Sequence, residues 1–234
     1  NDVNGNELLK VTATASAVNE LTLANMGTGA NPTITASGET NVGINLIPKG
    51  TGVLQGAGAA LKIAGLETMW IPASAMYATT TNPAEANQVE TTALRPDMKV
   101  FDFAAAADDF VQFSVAMPKS WNEGTITYQV FWTPSTTNTG NCLWGLQGVS
   151  IADGATIDVA FDAAVIVTDA GIGTVEDQQV SPVSSAVTVK SAAADTQTYF
   201  QFSRDADAAG DAFTGVARLL GIKIFYTTDA ANDA

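Results

Sequence analysis

The feature that most constrains this chain is the absence of Phe, Trp and Tyr from residues 1–69. Every aromatic side chain of the 234 residues lies at or after Trp70. Aromatic side chains bury more area than other types, so a segment without them lacks much of the material that closes a hydrophobic core. We therefore divide the chain into residues 1–69 and residues 70–234, and we expect the first segment to need other chains to fold.

Residues 1–69 read as short strands separated by turn glycines, with apolar runs at 8–11, 18–23, 32–36, 42–47 and 52–54. Burial at about 25 cal/mol per Å² must offset roughly 1–2 kcal/mol of backbone entropy per ordered residue, and scattered aliphatic side chains cannot do this in one chain. We predict a thin β-rich stalk or anchor that oligomerises as a homotrimer. The side chains expected to be shared between copies are Leu21, Leu23, Ile34, Ile44, Leu46 and Leu54.

Residues 70–234 show the period-two alternation of strands that are buried on one face, at 111–117, 126–132, 157–161 and 220–226. Turn residues separate eight or nine such runs between Lys99 and Tyr226, a number that favours an all-β, jelly-roll-like β-sandwich. Residues 84–90 hold at most one short helical turn. The side chains predicted to lie between the two sheets are Phe113, Val115, Ile126, Tyr128, Trp132, Trp144, Phe161, Ile222 and Ile224.

The composition excludes several classes of function. Histidine is absent and Cys142 is the one cysteine, so Ser-His-Asp triads, Cys-His dyads, the common zinc sites and intramolecular disulfides are ruled out. We interpret Cys142 as a buried small hydrophobe. With 10 basic against 24 acidic residues the net charge is −14, which disfavours nucleic acid and anionic membrane surfaces as partners. No apolar run is long enough for membrane insertion.

Carboxylates are the one abundant acid-base group. A glycosidase needs two of them, about 5–10 Å apart across a sugar. Candidates for such a pair are Asp108, Asp109, Asp158, Asp162, Asp205, Asp207 and Asp211. They fit turns and polar strand faces better, so we predict no catalytic residue and no cofactor.

The run Asp205, Asp207, Asp211 also resembles the start of a calcium loop. An EF-hand requires an oxygen ligand at the fifth position and a glutamate at the twelfth. This chain has Ala209 and Val216 there. The three aspartates remain candidate ligands of an irregular calcium site, and a solvated loop between two strands is the favoured interpretation.

The tryptophans raise a carbohydrate hypothesis, because aromatic faces stack on sugars. Trp132 and Trp144 lie in strand-like runs, which indicates core packing. Trp70 lies at the junction of the two segments and is expected to pack there. Trp121 follows a turn at 118–120, so it is the candidate ligand-binding residue, although it fits an anchor for that turn equally well.

Several runs resemble virion proteins of tailed bacteriophages and related prophage or gene-transfer-agent-like particles. The most specific is Met117-Pro118-Lys119-Ser120-Trp121-Asn122-Glu123-Gly124-Thr125. Others are the segments 29–36, 45–52, 70–76, 89–92 and 217–228. The resemblance covers most of the chain and carries no catalytic residues with it.

The resemblance implies a non-enzymatic structural protein on the outer surface of a phage particle. As a trimeric fibre or spike it would contact host polysaccharide; as a capsid decoration protein it would clamp the head shell. Partners would be its own copies and other virion proteins of the capsid, portal, tail or fibre base, which could also cover residues 1–69. A polysaccharide depolymerase is the less favoured reading.

Overall fold

The computed structural model describes residues 14–46, 55–56, 59–60, 65–194 and 196–228. The chain divides into two compact units, residues 1–57 and residues 58–234. The second unit therefore begins earlier than Trp70, because the strand Gly65–Pro72 is part of its sheet structure. Among the described residues no helix is long and apolar enough to cross a membrane.

In the part of the chain that the structure describes, the elements are almost entirely strands, with one short 3-10 helix at Ala73–Ala75. The strands are β1 (Glu20–Ala24), β2 (Thr33–Ser37), β3 (Gln55–Gly56), β4 (Ala59–Ala60), β5 (Gly65–Pro72), β6 (Tyr77–Ala78), β7 (Glu85–Glu90), β8 (Asp97–Phe103), β9 (Asp109–Ala116), β10 (Thr127–Pro134), β11 (Asn141–Ile151), β12 (Val165–Ala170), β13 (Gln179–Val180), β14 (Val189–Lys190), β15 (Gln197–Arg204) and β16 (Ala217–Thr228).

Two six-stranded sheets form the second unit. Sheet 1 has the order β13-β10-β16-β8-β7, with β5 also paired to β16. Sheet 2 has the order β12-β11-β15-β9-β6, with β14 paired in parallel to β11. Nine strands of the described chain lie between Asp97 and Thr228, and the all-β sandwich prediction is confirmed.

The core lies between the two sheets and is built largely from aromatic rings. Trp144 of sheet 2 stacks on Phe202 with centroids 5.4 Å apart, and it meets the edge of Trp132 from sheet 1 at 5.6 Å. Phe113 stacks on Phe200 at 5.0 Å. These rings are all nearly or fully closed to solvent, as alternation along each strand requires.

The first unit contains the antiparallel hairpin β1–β2, which has one apolar and one polar face. Leu21 pairs with Ala36 and Leu23 with Ile34, which puts these four side chains on one face. The alternate positions of the two strands are mainly threonine, with Glu20 and Ser37 at the end. Leu21, Leu23 and Ile34 are 60%, 71% and 57% exposed.

The predicted strands of residues 1–69 are only partly covered by the structure. The runs 18–23 and 32–36 correspond to β1 and β2. Residues 42–46 form no strand, and the runs 8–11 and 52–54, with Leu54, lie outside the described residues.

Two segments of the second unit bear on the local predictions: the helical turn allowed at 84–90 does not form, and the strand predicted at 157–161 is wrong. Residues 84–90 form no helical turn, because Glu85–Glu90 is strand β7 and pairs along its length with β8. The alternating run 157–161 lies in the connection between β11 and β12 and belongs to no strand. Seven of the nine predicted core residues are buried. Phe161 is half-buried outside the sheets, and Val115 is partly exposed while packing against the core.

Candidate functional site

Three glutamines lie side by side on the outer face of sheet 2, one from each of three adjacent strands. Gln201 of β15 pairs in register with Gln112 of β9 on one side and with Gln147 of β11 on the other. Each follows or precedes an inward-pointing apolar residue, so the pleat turns all three amides outward. Together with the tyrosines described next, we call this surface the amide–tyrosine face.

Two tyrosines stand beside the amides. Tyr199 lies two positions before Gln201 on β15, and Tyr77 of β6 pairs with Gln112. The Tyr77 hydroxyl donates to Gln112 Oε1 at 3.5 Å. Burial raises the pKa of Tyr77, and the neighbouring Tyr199 phenol raises it further.

The connection 152–164, which we call the covering loop, forms a wall beside this face. Its first turn requires Gly154, whose φ is +74°, and is closed by Ala155 N–H donating to Ala152 O at 3.0 Å. Its far end is fixed by Lys190, whose Nζ donates to Ala160 O at 2.8 Å and lies 3.5 Å from Asp162 Oδ1. The wall therefore has a closed turn at its start, and Lys190 of β14 attaches its far end to the sandwich.

Wall and sheet enclose two adjoining hollows. The tyrosine hollow, of about 400 Å³, is lined by Tyr77, Gln112, Val149, Ile157, Asp158, Val159, Phe161 and Tyr199. The turn hollow, of about 320 Å³, is lined by Ile151, Ala152, Asp153, Gly154, Ala155, Ile157, Thr196, Gln197 and Tyr199. Tyr199 and Ile157 line both, so the hollows meet at these two side chains.

The amides keep hydrogen-bonding capacity for a ligand. Gln147 Nε2 donates to Gln201 Oε1, and Tyr77 donates to Gln112 Oε1. Within the described chain, the amide nitrogens of Gln201 and Gln112 have no protein acceptor. A planar amide offers donors and an acceptor side by side, which matches adjacent hydroxyl groups, and a tyrosine ring offers an apolar face.

The aspartates of the predicted calcium loop do not act as one group. Asp205 and Asp207 lie with Asp108, and one oxygen of each falls within 4.8 Å of the other two. They meet because Asp205 follows β15, Asp108 precedes β9, and these strands are paired. Carboxylates at this spacing suit a hard cation such as calcium. Burial raises the pKa of Asp205, and the charges of Asp108, Asp207 and Asp211 raise it further.

Asp211 has a different role from the other two. Its carboxylate binds the buried Arg204 through two oxygens and accepts the Leu143 N–H at 3.0 Å. Arg204 also donates to the carbonyls of Phe103, Gly215 and Phe213. The oxygens of Asp211 therefore hold the arginine and the strand β11, and Asp211 is not part of the cluster that Asp108, Asp205 and Asp207 form.

Trp121 is buried, with 1% of its surface exposed, and its backbone bridges Thr228 of β16. Because its indole ring is buried, Trp121 cannot stack on a ligand. It instead anchors the turn at 118–120, where its backbone N–H donates to the Pro118 carbonyl. Trp132 and Trp144 are core residues, as expected. Trp70 is 46% exposed on the outer face of sheet 1, where its ring meets Phe131 edge-on at 5.0 Å.

The remaining candidates are scattered. Asp109 begins β9 and accepts the Ala104 N–H, Asp162 faces Lys190, and Asp158 lines the tyrosine hollow. Cys142 is fully buried and burial raises the pKa of its thiol, so it packs as a small hydrophobe.

The amide–tyrosine face is not among the sites predicted from the sequence. Its glutamines are separated by tens of residues along the chain and converge only through strand register. The available signal was a polar residue between inward-pointing apolar ones, as in Val111-Gln112-Phe113 and Phe200-Gln201-Phe202.

No protein-family model matches the chain, and no curated protein matches it. Among solved structures it is similar to CBM35 from Cellvibrio japonicus Abf62, at 9% identity and a TM-score of 0.42, over 70% of this chain and 100% of that one. It is also similar to a family 11 carbohydrate-binding module from Clostridium thermocellum in complex with a mixed-linked tetrasaccharide, at 8% identity and a TM-score of 0.36, over 74% and 99%. A chain of infectious bursal disease virus Gx strain matches at 13% identity and a TM-score of 0.36, over 84% of this chain and 39% of that chain. At these values the likeness extends to the β-sandwich class alone.

Proposed function

We propose that this chain is a non-enzymatic structural protein on the outer surface of a bacteriophage virion, where it forms a trimeric fibre or spike that contacts host polysaccharide. The observation that carries the polysaccharide contact is the amide–tyrosine face, with its row of outward amides beside two tyrosine rings. Polar groups placed around an apolar surface in a concave site are typical of small-ligand and sugar recognition. The phage assignment rests on the sequence resemblance, led by the run 117–125.

The hairpin β1–β2 supports assembly from several copies. An isolated two-stranded hairpin is at best marginally stable in water, and this one leaves Leu21, Leu23 and Ile34 largely exposed. Three copies packed around a threefold axis would cover these side chains with one another. The polar threonine face would then point to solvent.

The dispersed carboxylates support a binding role without catalysis. Asp211 is held by Arg204, Asp162 faces Lys190, and Asp108, Asp205 and Asp207 crowd within 4.8 Å at one sheet end. None of these carboxylates lines the tyrosine hollow or the turn hollow, where a sugar is proposed to bind. Incubation with host capsule or lipopolysaccharide should release no reducing ends.

Purified phage particles test the virion assignment. Quantitative mass spectrometry should find the chain in the particle, and protease or antibody accessibility should place it outside. A copy number in the tens or fewer supports a fibre or spike. A copy number in the hundreds would favour the alternative, a capsid decoration protein, and absence from particles would overturn the proposal.

A further inference from the structure

The two hollows beside the covering loop are neighbours, and together we call them the groove. Tyr199 and Ile157 line both, so the hollows adjoin at these side chains. A ligand confined to one hollow would use only one side of Tyr199. A ligand that passes through both would place Tyr199 at the middle of its bound length.

The side chains that line the groove are neutral or negatively charged. Of the residues that line the two hollows, only Asp153 and Asp158 are charged. Lys190, which contacts the far end of the covering loop, has its ammonium group on Asp162 and the Ala160 carbonyl. The chain as a whole carries a net charge of −14. An anionic ligand would therefore be repelled, and no cation lines the groove to offset this.

The remaining groups suit hydroxyl-rich, uncharged rings. Gln112 and Gln197 line the tyrosine hollow and the turn hollow respectively, so each hollow has an amide. Gln197 Nε2 donates to Ser114 Oγ at 3.0 Å, which leaves its carbonyl oxygen open to a ligand hydroxyl. Each hollow thus repeats one combination, an amide together with Tyr199, and the free amide group is the Gln112 Nε2 donor in one hollow and the Gln197 Oε1 acceptor in the other.

From this repetition we infer that the groove binds an internal stretch of a neutral polysaccharide, with successive sugar rings in the two hollows and Tyr199 between them. The inference rests on the proposed function and narrows its ligand: the glycan is uncharged, and it is recognised along its chain rather than at its end. Asp153 and Asp158 disfavour acidic capsules and uronic-acid polymers as ligands.

The test measures binding of the full chain to a panel of soluble polysaccharides by calorimetry or affinity electrophoresis. The panel contains neutral glucans, mannans and galactans, with alginate and polygalacturonate as acidic probes. Neutral oligosaccharides of one to six rings then give the length dependence. We expect binding to a neutral member, little binding of the acidic ones, and affinity that rises from one ring to several.

Variants locate the site. Tyr199→Ala should weaken neutral-glycan binding about tenfold or more, because it removes the stacking surface shared by both hollows. Tyr199→Phe should retain most of the affinity. The matched control is Gln178→Ala, an exposed glutamine that lines neither hollow, and it should change nothing. Thermal denaturation of each variant checks that the fold is intact.

The outcomes separate the two proposals. Binding of acidic glycans alone, or equal affinity for one ring and six, would overturn the inference while leaving polysaccharide contact intact. Loss of binding with Trp70→Ala but not with Tyr199→Ala would move the site to the outer face of sheet 1 and would also overturn it. Failure to bind any panel member or polysaccharide extracted from the host would count against the proposed function itself.

Discussion

Arg204 and Asp211 form a bidentate ion pair that is almost completely buried. Nη2 of Arg204 lies 2.8 Å from Oδ1 of Asp211 and Nε lies 3.0 Å from Oδ2, with side-chain exposures of 0% and 2%. The remaining guanidinium hydrogens go to backbone carbonyls. The pair ties the end of β15 to the segment that leads into β16, so it connects the two sheets.

Removing one partner of this pair should be strongly destabilising. In Asp211→Ala the guanidinium of Arg204 stays buried without its counter-charge, and we expect a loss of about 3–5 kcal/mol in the free energy of unfolding. Urea denaturation followed by tryptophan fluorescence measures it. Asp177→Ala, at an exposed carboxyl outside the aspartate cluster, serves as control. A loss below about 1 kcal/mol for Asp211→Ala would contradict a structural role for the pair.

Neutralising Asp205 should stabilise the protein, whereas removing Asp211 should destabilise it. Its raised pKa means that the folded state disfavours the charged form, so ionised Asp205 lowers stability at pH values above that pKa. Asp205→Asn should therefore raise Tm at pH 7. The gain should shrink as the pH falls through the raised pKa and vanish below the ordinary carboxyl pKa, where both states are protonated.

Thermal scans at pH 7 and at about pH 3.5 test this pattern, since the lower value lies beneath the ordinary Asp pKa of about 3.9. Asp177→Asn, an exposed carboxyl outside the cluster, is the matched control. An Asp205→Asn protein that is less stable than the parent at pH 7 would show that the charge contributes favourably there.

The aromatic core should be sensitive to truncation. Phe113 is 2% exposed and stacks on Phe200, so Phe113→Ala should lower the free energy of unfolding by about 3–5 kcal/mol through the cavity that it leaves. The control Ile157→Ala removes an aliphatic side chain that is 67% exposed, and its effect should stay within about 0.5 kcal/mol. Equal effects of the two variants in urea denaturation would mean that the core assignment fails.

The hairpin predicts how copies associate. Leu23→Lys places a charge on the apolar face of β1–β2, and light scattering of the full chain should show the mass fall from trimer to monomer. Thr22→Lys puts the same charge on the opposite face of the same strand and should leave the trimer intact. A monomeric parent protein, or loss of the trimer only on changing residues of 70–234, would relocate the assembling surface.

Much of the sandwich was predictable because buried and outward-facing residues alternate along its strands. Ile126, Tyr128 and Trp132 alternate with polar or partly exposed positions, and all three are buried. The same rule failed for Ile157 and Phe161, which alternate equally well. They cover the outer face of a sheet instead of forming a strand of it, and periodicity alone does not distinguish these two environments.

The amide–tyrosine face and the aspartate cluster depend on pairings between distant parts of the chain. Gln112, Gln147 and Gln201 become neighbours only through the order of β9, β15 and β11, and Asp108 joins Asp205 by the pairing of β15 with β9. No spacing along the sequence encodes that order. The sequence left open whether Trp121 is exposed or anchors its turn. The structure places it against Thr228, a residue of β16 far along the chain, and no local pattern indicates that contact.

The pairings of β16 have a consequence for the time course of folding. This strand pairs with β10, β8 and β5, and its partner residues in β5 precede it by about 150 positions. During synthesis, sheet 1 stays without its central strand until the ribosome has passed every other strand of the sandwich. Contacts so distant in sequence form slowly. During most of its synthesis, the nascent chain therefore exposes the apolar edges of β5, β8 and β10 that β16 later covers. In that interval the cell must protect these edges from aggregation.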